Sequence, residues 1–301
     1  MSCDAVCWAI EADAVGYTYP DGAPALTEVS LHVAPGEFVA VAGPNGAGKS
    51  TLLRLLVGLL QPHQGQVRMH GVDIAGRPAA ERYRRVGIVF QNPVDQLFAA
   101  TVEEDVAFGP RNLSLSEAEV TARVDQALAA VDASELRGRH VRRLSFGQQR
   151  RVCLAGVLAM QPDVLVLDEP LAGLDPGAES RMIRLLADLH RREGKTVIVS
   201  THAVDLLPVL AQRVYVLCDG RLCLEGTPAE VFRDPSAVER AGLRLPLIAQ
   251  LFQSLGEHLP GGNDNLPLTV DEARCRLLRW RAEVERGPQA TGTPAPGRLA
   301  R

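Results

Sequence analysis

The chain has 301 residues, 46% of them hydrophobic, and a formal net charge of −4 at pH 7. That length and apolar fraction are sufficient for one large domain, or for a main domain with an appendage, around a buried core. Lysine and arginine are spread along the sequence, so the charge pattern argues against a surface for nucleic acid or lipid.

Cysteine usage and hydrophobicity predict the cellular compartment of the protein. The six cysteines form no C-x-x-C pair and have no metal-ligand spacing, so we expect reduced thiols. Acidic residues near the N-terminus argue against a secretory signal. No apolar run approaches the roughly 18 residues that span a bilayer. We therefore expect a cytoplasmic protein without direct membrane insertion, whose membrane role, if any, passes through a partner.

The first 33 residues predict a β-rich segment. Residues 9–19 and 26–33 have strand character, and Pro and Gly mark the turns that follow them. Tyr17 and Tyr19 alternate with the polar Thr18 along the first strand. One of them could stack on a nucleotide base, whereas the alternative, two tyrosines packed on the sheet, is equally compatible with the spacing.

A nucleotide-binding loop follows this segment. The apolar run at 38–42 predicts a strand and residues 52–56 a helix, and the sequence between them fits G-x-x-x-x-G-K-[ST]. In this pattern backbone N–H groups surround the β-phosphate, Lys49 reaches the β- and γ-phosphates, and Ser50 binds Mg²⁺. The alternative is a glycine-rich connection in another α/β fold. The predicted ATP-binding residues are Gly43, Pro44, Asn45, Gly46, Ala47, Gly48, Lys49, Ser50 and Thr51.

Two further strands end in polar side chains. Strand 86–90 leads to Gln91, which could offer its carbonyl oxygen to Mg²⁺ and its amide to the attacking water. Strand 164–168 closes on Asp168 and Glu169, which predicts Mg²⁺ binding by Asp168 and general-base catalysis by Glu169. Each pattern has a simpler explanation, namely a surface-loop glutamine and two solvated acids.

The remaining segments predict an alternating α/β chain with a helical insertion. Residues 92–160 are mainly helical, and Thr101 begins a capping box. Helix 178–192 and strand 196–200 precede His202. A hairpin and a short capped helix follow, and with them the predicted main domain, residues 8–235, ends. Residues 236–286 predict a helical extension with a linker at 260–263, and residues 287–301 a disordered tail.

The segment from Leu144 to Arg151 resembles the signature segment of the ATP-binding cassette (ABC) superfamily, normally L-S-G-G-Q. The specific evidence is the order of nucleotide loop, Gln91, signature segment, Asp168 with Glu169, the segment 172–176 that resembles the family's D-loop, and His202. The resemblance implies a P-loop NTPase fold and a head-to-tail dimer in which each signature segment completes the ATP site of the other subunit. It assigns contacts with the partner's ATP to Ser145, Gly147, Gln148 and Asp175, and a γ-phosphate contact to His202. Phe146 replaces a glycine of the family pattern.

Residues 91–98, 101–110 and 155–160 resemble the ATPases of energy-coupling-factor (ECF) importers, and most nearly those for cobalt and nickel. The resemblance implies that Tyr19, rather than Tyr17, stacks on adenine. It further implies ATP and Mg²⁺ as cofactors, a second ABC ATPase subunit and an integral membrane subunit as partners, and a peripheral position on the cytoplasmic face of the cell membrane.

Two other classes of function compete with transport. A soluble ABC ATPase of DNA repair or translation would need a long coiled-coil insertion or two cassettes in one chain, and the sequence has neither. A regulatory ABC ATPase acting on a cytoplasmic partner is the remaining alternative, with residues 271–286 as its interaction surface.

Overall fold

A computed structural model describes residues 7–256 and 265–286. The chain divides into one compact unit that ends at Leu245 and a second that begins at Pro246. The predicted domain end near residue 235 stays a prediction. The predicted linker at 260–263 and the predicted disordered tail at 287–301 lie outside the described residues.

The strands of the first unit form two sheets. In chain order they are β1 (Ile10–Thr18), β2 (Pro24–Val33), β3 (Phe38–Ala42), β4 (Gln64–Met69), β5 (Val72–Asp73), β6 (Val86–Val89), β7 (Val164–Asp168), β8 (Thr196–Thr201), β9 (Arg213–Cys218) and β10 (Arg221–Gly226).

Helices connect and cover these strands. In the first unit they are α1 (Lys49–Leu56), α2 (Ala79–Arg85), α3 (Val102–Asn112), α4 (Glu117–Ala130), α5 (Phe146–Leu158), α6 (Pro176–Arg191), α7 (Leu207–Leu210), α8 (Pro228–Val231) and α9 (Pro235–Arg240). The second unit contains α10 (Leu247–Leu255) and α11 (Val270–Arg286), and Phe252 and Ala273 form its small apolar core. Within the two described ranges, none of the helices combines the length and hydrophobicity needed to cross a bilayer.

The N-terminal sheet is antiparallel, with strand order β2-β1-β4-β5. The central strand β1 pairs with β2 on one side and β4 on the other, so Ile10 lies opposite both Val33 and Met69. These apolar side chains are buried and belong to the main core. The predicted β-rich N-terminal segment is confirmed.

The larger sheet has the order β10-β9-β3-β8-β7-β6, and its strands are parallel except for β10. Every residue of β3, β7 and β8 is buried, the pattern of a sheet covered on both faces. Because β3, β8, β7 and β6 are consecutive and parallel, the residues that follow them lie along one edge of the sheet. This edge is where α/β proteins bind ligands.

The predicted helical insertion consists of α3, α4 and α5, which pack against one another. The capping box predicted at Thr101 is confirmed, because its hydroxyl accepts from the backbone N–H of Glu104 and the Glu104 carboxylate accepts from the N–H of Thr101. A cap of this kind stabilises a helix by about 1 kcal/mol. Three capped starts therefore fix where the helices of the insertion begin, since Ser116 and Ser145 begin α4 and α5 in the same way.

Candidate active site

The nucleotide loop, residues 43–51, connects the buried strand β3 to α1. Gly46 and Gly48 have φ angles of 83° and 98°, in the left-handed region that favours glycine. A Cβ atom at Gly48 would lie 2.6 Å from the carbonyl oxygen of Ala25. Both the conformation and the space therefore require glycine at this position, as the sequence pattern predicts.

Lys49 lies at the centre of this loop. Its Nζ donates to the carbonyl oxygens of Gly43 and Pro44 at 2.9 Å and 3.0 Å, and it lies 3.9 Å from Glu169 Oε1. Burial lowers the pKa of the ammonium group, and the carboxylates of Glu169 and Asp168 oppose this shift. A buried cation held by two carbonyls of this loop is suited to bind phosphate oxygens.

Helix α1 presents its positive end to the loop. Within the described chain, no side chain caps this helix and its first turn contains no acidic residue, so its N-terminus is suited to an anion. Ser50 is the second helical residue. These features fit the phosphates of ATP, and the assignment of Ser50 to Mg²⁺ stays a prediction.

Tyr17 lies in β1 and Tyr19 directly follows that strand, and the surroundings of the two rings differ. The Tyr19 hydroxyl lies 3.0 Å from Thr51 Oγ1, so this ring is attached to the nucleotide loop. Tyr17 stacks on His63 at a centroid distance of 5.0 Å and meets Tyr19 edge-on at 5.1 Å. One face of Tyr17 is therefore covered, which favours Tyr19 for adenine stacking, an assignment that stays a prediction.

Asp168 ends β7 beside the end of β8. The register places Asp168 opposite Ser200, and the Ser200 hydroxyl donates to Asp168 Oδ1 at 2.5 Å. Asp168 is buried, so this hydrogen bond orients a carboxylate whose other oxygen can hold a cation or its bound water. Asp168 is predicted from the sequence but Ser200 is not, because only the pairing of two strands distant in sequence brings them together.

Glu169 occupies a constrained position at the same edge. It has a φ of 48°, uncommon for a residue with a side chain, and its N–H donates to Ser200 Oγ at 2.9 Å. His202 Nδ1 lies 2.9 Å from both carboxylate oxygens. The carboxylate is thus held between His202 and Lys49, an arrangement suited to accept a proton from a water molecule.

Gln91 lies on an exposed stretch two residues after β6. Its backbone carbonyl accepts from Arg150 Nη2 at 2.8 Å, and Arg150 Nη1 donates to the carbonyl of Glu169. Arg150 is not among the site residues predicted from the sequence. It follows the signature segment's glutamines in a run of two arginines, and the sequence alone does not indicate which of the two points inward.

The signature segment and residue 175 form local hydrogen bonds. The side chains of Ser145 and Gln148 bond to each other's backbone N–H groups in a capping box, and Asp175 caps α6 through the N–H of Ala178. Gly147 lies in the first turn of α5. The predicted contacts of these residues with a second subunit's ATP therefore depend on another copy and stay predictions.

Ser200→Ala is expected to raise the Mg²⁺ concentration needed for half-maximal ATP hydrolysis by about 10–100-fold, because it removes the hydrogen bond that orients Asp168. Titrating Mg²⁺ at fixed ATP measures this shift. Ser200→Thr keeps the hydroxyl and serves as the matched control, with a half-saturation close to that of the parent. An unchanged Mg²⁺ dependence in the alanine variant would contradict the assigned role of Ser200.

The fold and this site together define a P-loop ATPase: a glycine-rich loop leads to a buried lysine at the start of a helix, and two acids lie at the end of β7 in the same parallel sheet. Residues 26–172 match the ABC transporter family. The energy-coupling factor transporter ATP-binding protein EcfA of Methanocaldococcus jannaschii is 46% identical over 280 residues, covering 91% of this chain and 98% of that protein.

Two solved structures are similar as well. The structure of cbiO1 from Clostridium perfringens, described as part of the ABC transporter complex cbiONQ, is 39% identical with a TM-score of 0.69, covering 81% of this chain and 98% of that one. A dimeric ATP-binding cassette in a post-hydrolysis state, bound to ADP and Pi, is 29% identical with a TM-score of 0.68, covering 73% and 98%. The chain therefore belongs to the family of ABC transporter ATP-binding proteins. The predicted fold class is confirmed, as are ATP hydrolysis and the cofactors ATP and Mg²⁺.

Proposed function

We propose that this chain is the ATP-hydrolysing subunit of an ECF importer and that its cargo is cobalt or nickel. It pairs head to tail with a second ABC ATPase subunit and binds an integral membrane subunit, as a peripheral protein on the cytoplasmic face of the membrane. The similarity to EcfA supports the transporter class, and the similarity to cbiO1 supports the choice of cargo.

In the proposed cycle, ATP closes the dimer and hydrolysis opens it. Glu169 acts as the base, His202 contacts the γ-phosphate, and Gln91 orients the attacking water. Mg²⁺ is held by Ser50, Gln91 and Asp168. The geometry supports this assignment because four adjacent strands, β3, β8, β7 and β6, lead at one sheet edge to the loop, His202, the two acids and Gln91.

An apolar groove beside Gln91 is the observation that carries the proposed coupling to a membrane subunit. It has a volume of about 440 Å³ and runs between β6 and α2 on one side and α3 and α5 on the other. Phe98 and Phe108 meet edge-on at 4.6 Å and are 63% and 48% exposed. Phe90 and Gln96, on either side of Gln91 in sequence, also line it. Motion of an occupant would therefore be transmitted directly to the Gln91 segment.

The occupant we propose is a short amphipathic helix of the membrane subunit. Asp105 supports this choice. Its buried carboxylate accepts from the N–H groups of Phe98 and Ala99 at 2.9 Å each, so it fixes the loop that carries Phe98 and makes this wall of the groove rigid. Burial raises the pKa of Asp105, and these backbone hydrogen bonds oppose the shift. A rigid apolar groove with an acidic residue in its wall fits a helix with an apolar face and a basic residue.

The double variant Phe98→Ala, Phe108→Ala is expected to lose co-purification with the membrane subunit in mild detergent, while its ATP affinity stays unchanged. Large aromatic side chains contribute about 2 kcal/mol or more each as interface anchors. Val209→Ala, which changes another exposed apolar residue outside the groove, is the matched control. Retention of the membrane subunit by the double variant would count against the groove as the docking site.

The cargo is tested separately, by uptake of radiolabelled cobalt and nickel into cells that express the complete transporter. Uptake is expected with the parent chain and not with Glu169→Gln. If neither ion enters although the complex assembles and hydrolyses ATP, the transporter class stands and the choice of cargo is wrong. If no membrane subunit co-purifies with the parent chain, a regulatory role becomes the better explanation.

A further inference from the structure

Arg150 is a charged residue that the proposed cycle does not use, although it is only 3% exposed. It lies in α5, five residues after Ser145. Burying a guanidinium group is costly unless its donors are paired. The contacts that compensate this cost therefore indicate what holds Arg150 inside the molecule.

The fork of Arg150 bridges the ends of two strands. Nη2 donates to the carbonyl oxygen of Gln91 after β6, and Nη1 donates to the carbonyl oxygen of Glu169 after β7. Nε is buried without a partner among the described residues. A planar guanidinium presents two donor nitrogens at a fixed spacing, whereas an ammonium donates from a single nitrogen. The backbones of the two proposed catalytic residues are thus joined through one side chain of α5.

Phe146 connects this bridge to the segment before α6. The Arg150 guanidinium lies over the Phe146 ring at 5.0 Å from its centroid, a favourable cation–π distance. A Cβ atom at Gly173 would lie 3.1 Å from Cε1 of the same ring. The phenylalanine that departs from the family's glycine therefore packs between Arg150 and the loop that leads to Asp175.

We propose that Arg150 is a positioning residue that couples the two ATP sites of the dimer. The inference rests on the proposed function, in which the start of α5 contacts the partner's ATP while Gln91 and Glu169 act on the chain's own ATP. Arg150 joins these two sets of groups within one subunit. A shift of α5 on closure of one site moves the backbones of Gln91 and Glu169 in the other.

The test measures the dependence of the hydrolysis rate on ATP concentration for the purified full chain. Arg150→Met is expected to lower kcat by about 10–100-fold, the usual effect of losing a residue that orients functional groups, and to abolish cooperativity between the sites. The KM for ATP is expected to change less than about threefold, because within the described part of the chain the side-chain hydrogen bonds of Arg150 go to Gln91 and Glu169 and not to the nucleotide loop. Arg150→Lys keeps the charge but has one donor nitrogen in place of the two that bond to the carbonyls of Gln91 and Glu169, so its kcat should be intermediate and its cooperativity lost.

Arg151→Met is the matched control, because it makes the same change at the next residue of the same helix. Arg151 donates to the carbonyls of Val131 and Asp132, within the helical insertion. Its kcat, corrected for the folded fraction from thermal unfolding, is expected to stay within about twofold of the parent, since no contact with Gln91 or Glu169 is lost.

Three outcomes would overturn the proposal: an Arg150→Lys variant with the kcat and cooperativity of the parent, equal kcat losses in Arg150→Met and Arg151→Met, or an Arg150→Met defect confined to KM. Arg150→Lys decides the matter if Arg150→Met does not fold. Glu169→Gln in the same assay tests the catalytic assignment itself. Wild-type hydrolysis by that variant would reject the assignment, whereas its inactivity together with normal Arg150 variants would reject only the coupling.

Discussion

Glu169→Gln is expected to lower the rate of ATP hydrolysis by about 10²–10⁴-fold, the contribution typical of a positioned general base, and to leave an ATP-bound dimer closed. Glutamine has nearly the same shape as glutamate and can keep a hydrogen bond to His202, which lies 2.9 Å from both carboxylate oxygens. It cannot accept a proton from water. Binding should therefore persist while the bond-breaking step fails.

Two measurements on the same sample check this expectation. Phosphate release reports hydrolysis, and size-exclusion chromatography with ATP and Mg²⁺ reports dimer formation. Glu193→Gln, the same chemical change in an exposed turn before β8, is the matched control and should hydrolyse ATP at the parent rate. A Glu169→Gln chain that stayed monomeric in saturating ATP and Mg²⁺, even with a suitable partner subunit, would contradict ATP-driven pairing.

The parts of this site that could be predicted from sequence are those encoded locally. The glycine spacing of the nucleotide loop predicts the left-handed residues at 46 and 48, because few other residues adopt them without strain. The all-apolar strands predict a covered parallel sheet, which in turn predicts that Gln91, Asp168 and His202 lie at one edge. Capping boxes are equally local, since donor and acceptor are three residues apart.

The parts that could not be predicted depend on pairing between distant segments. Ser200 looks like any strand serine until the register of β7 and β8 places it opposite Asp168, 32 residues away. Arg150 and Arg151 look alike in sequence, and only the packing of α5 against the ends of β6 and β7 buries the first of them. The contacts of Phe146, which replaces a glycine of the family pattern, could not be predicted either, because only the fold brings Arg150 and Gly173 to its ring.

Lys49→Ala is expected to weaken ATP binding by about 2–5 kcal/mol, the cost of truncating one partner of a buried charge pair, which corresponds to roughly 30-fold or more in Kd. The chain contains only one other lysine, Lys195, whose Nζ donates to the carbonyl oxygen of Pro162 at 2.7 Å, as Lys49 does to Gly43 and Pro44. Lys195→Ala therefore removes the same kind of bond away from the nucleotide loop and should bind ATP like the parent.

Titration with a fluorescent ATP analogue measures both affinities, and thermal unfolding gives a second readout. A ligand at about 100 times its Kd stabilises the folded state by about 2.7 kcal/mol, so ATP should raise the melting temperature of the parent and of Lys195→Ala but not of Lys49→Ala. Melting without nucleotide separates this effect from the two loop hydrogen bonds that Lys49→Ala also removes. If both variants lost affinity equally, the loss would reflect general destabilisation, and if Lys49→Ala bound ATP like the parent, residues 43–51 would not be the phosphate-binding loop.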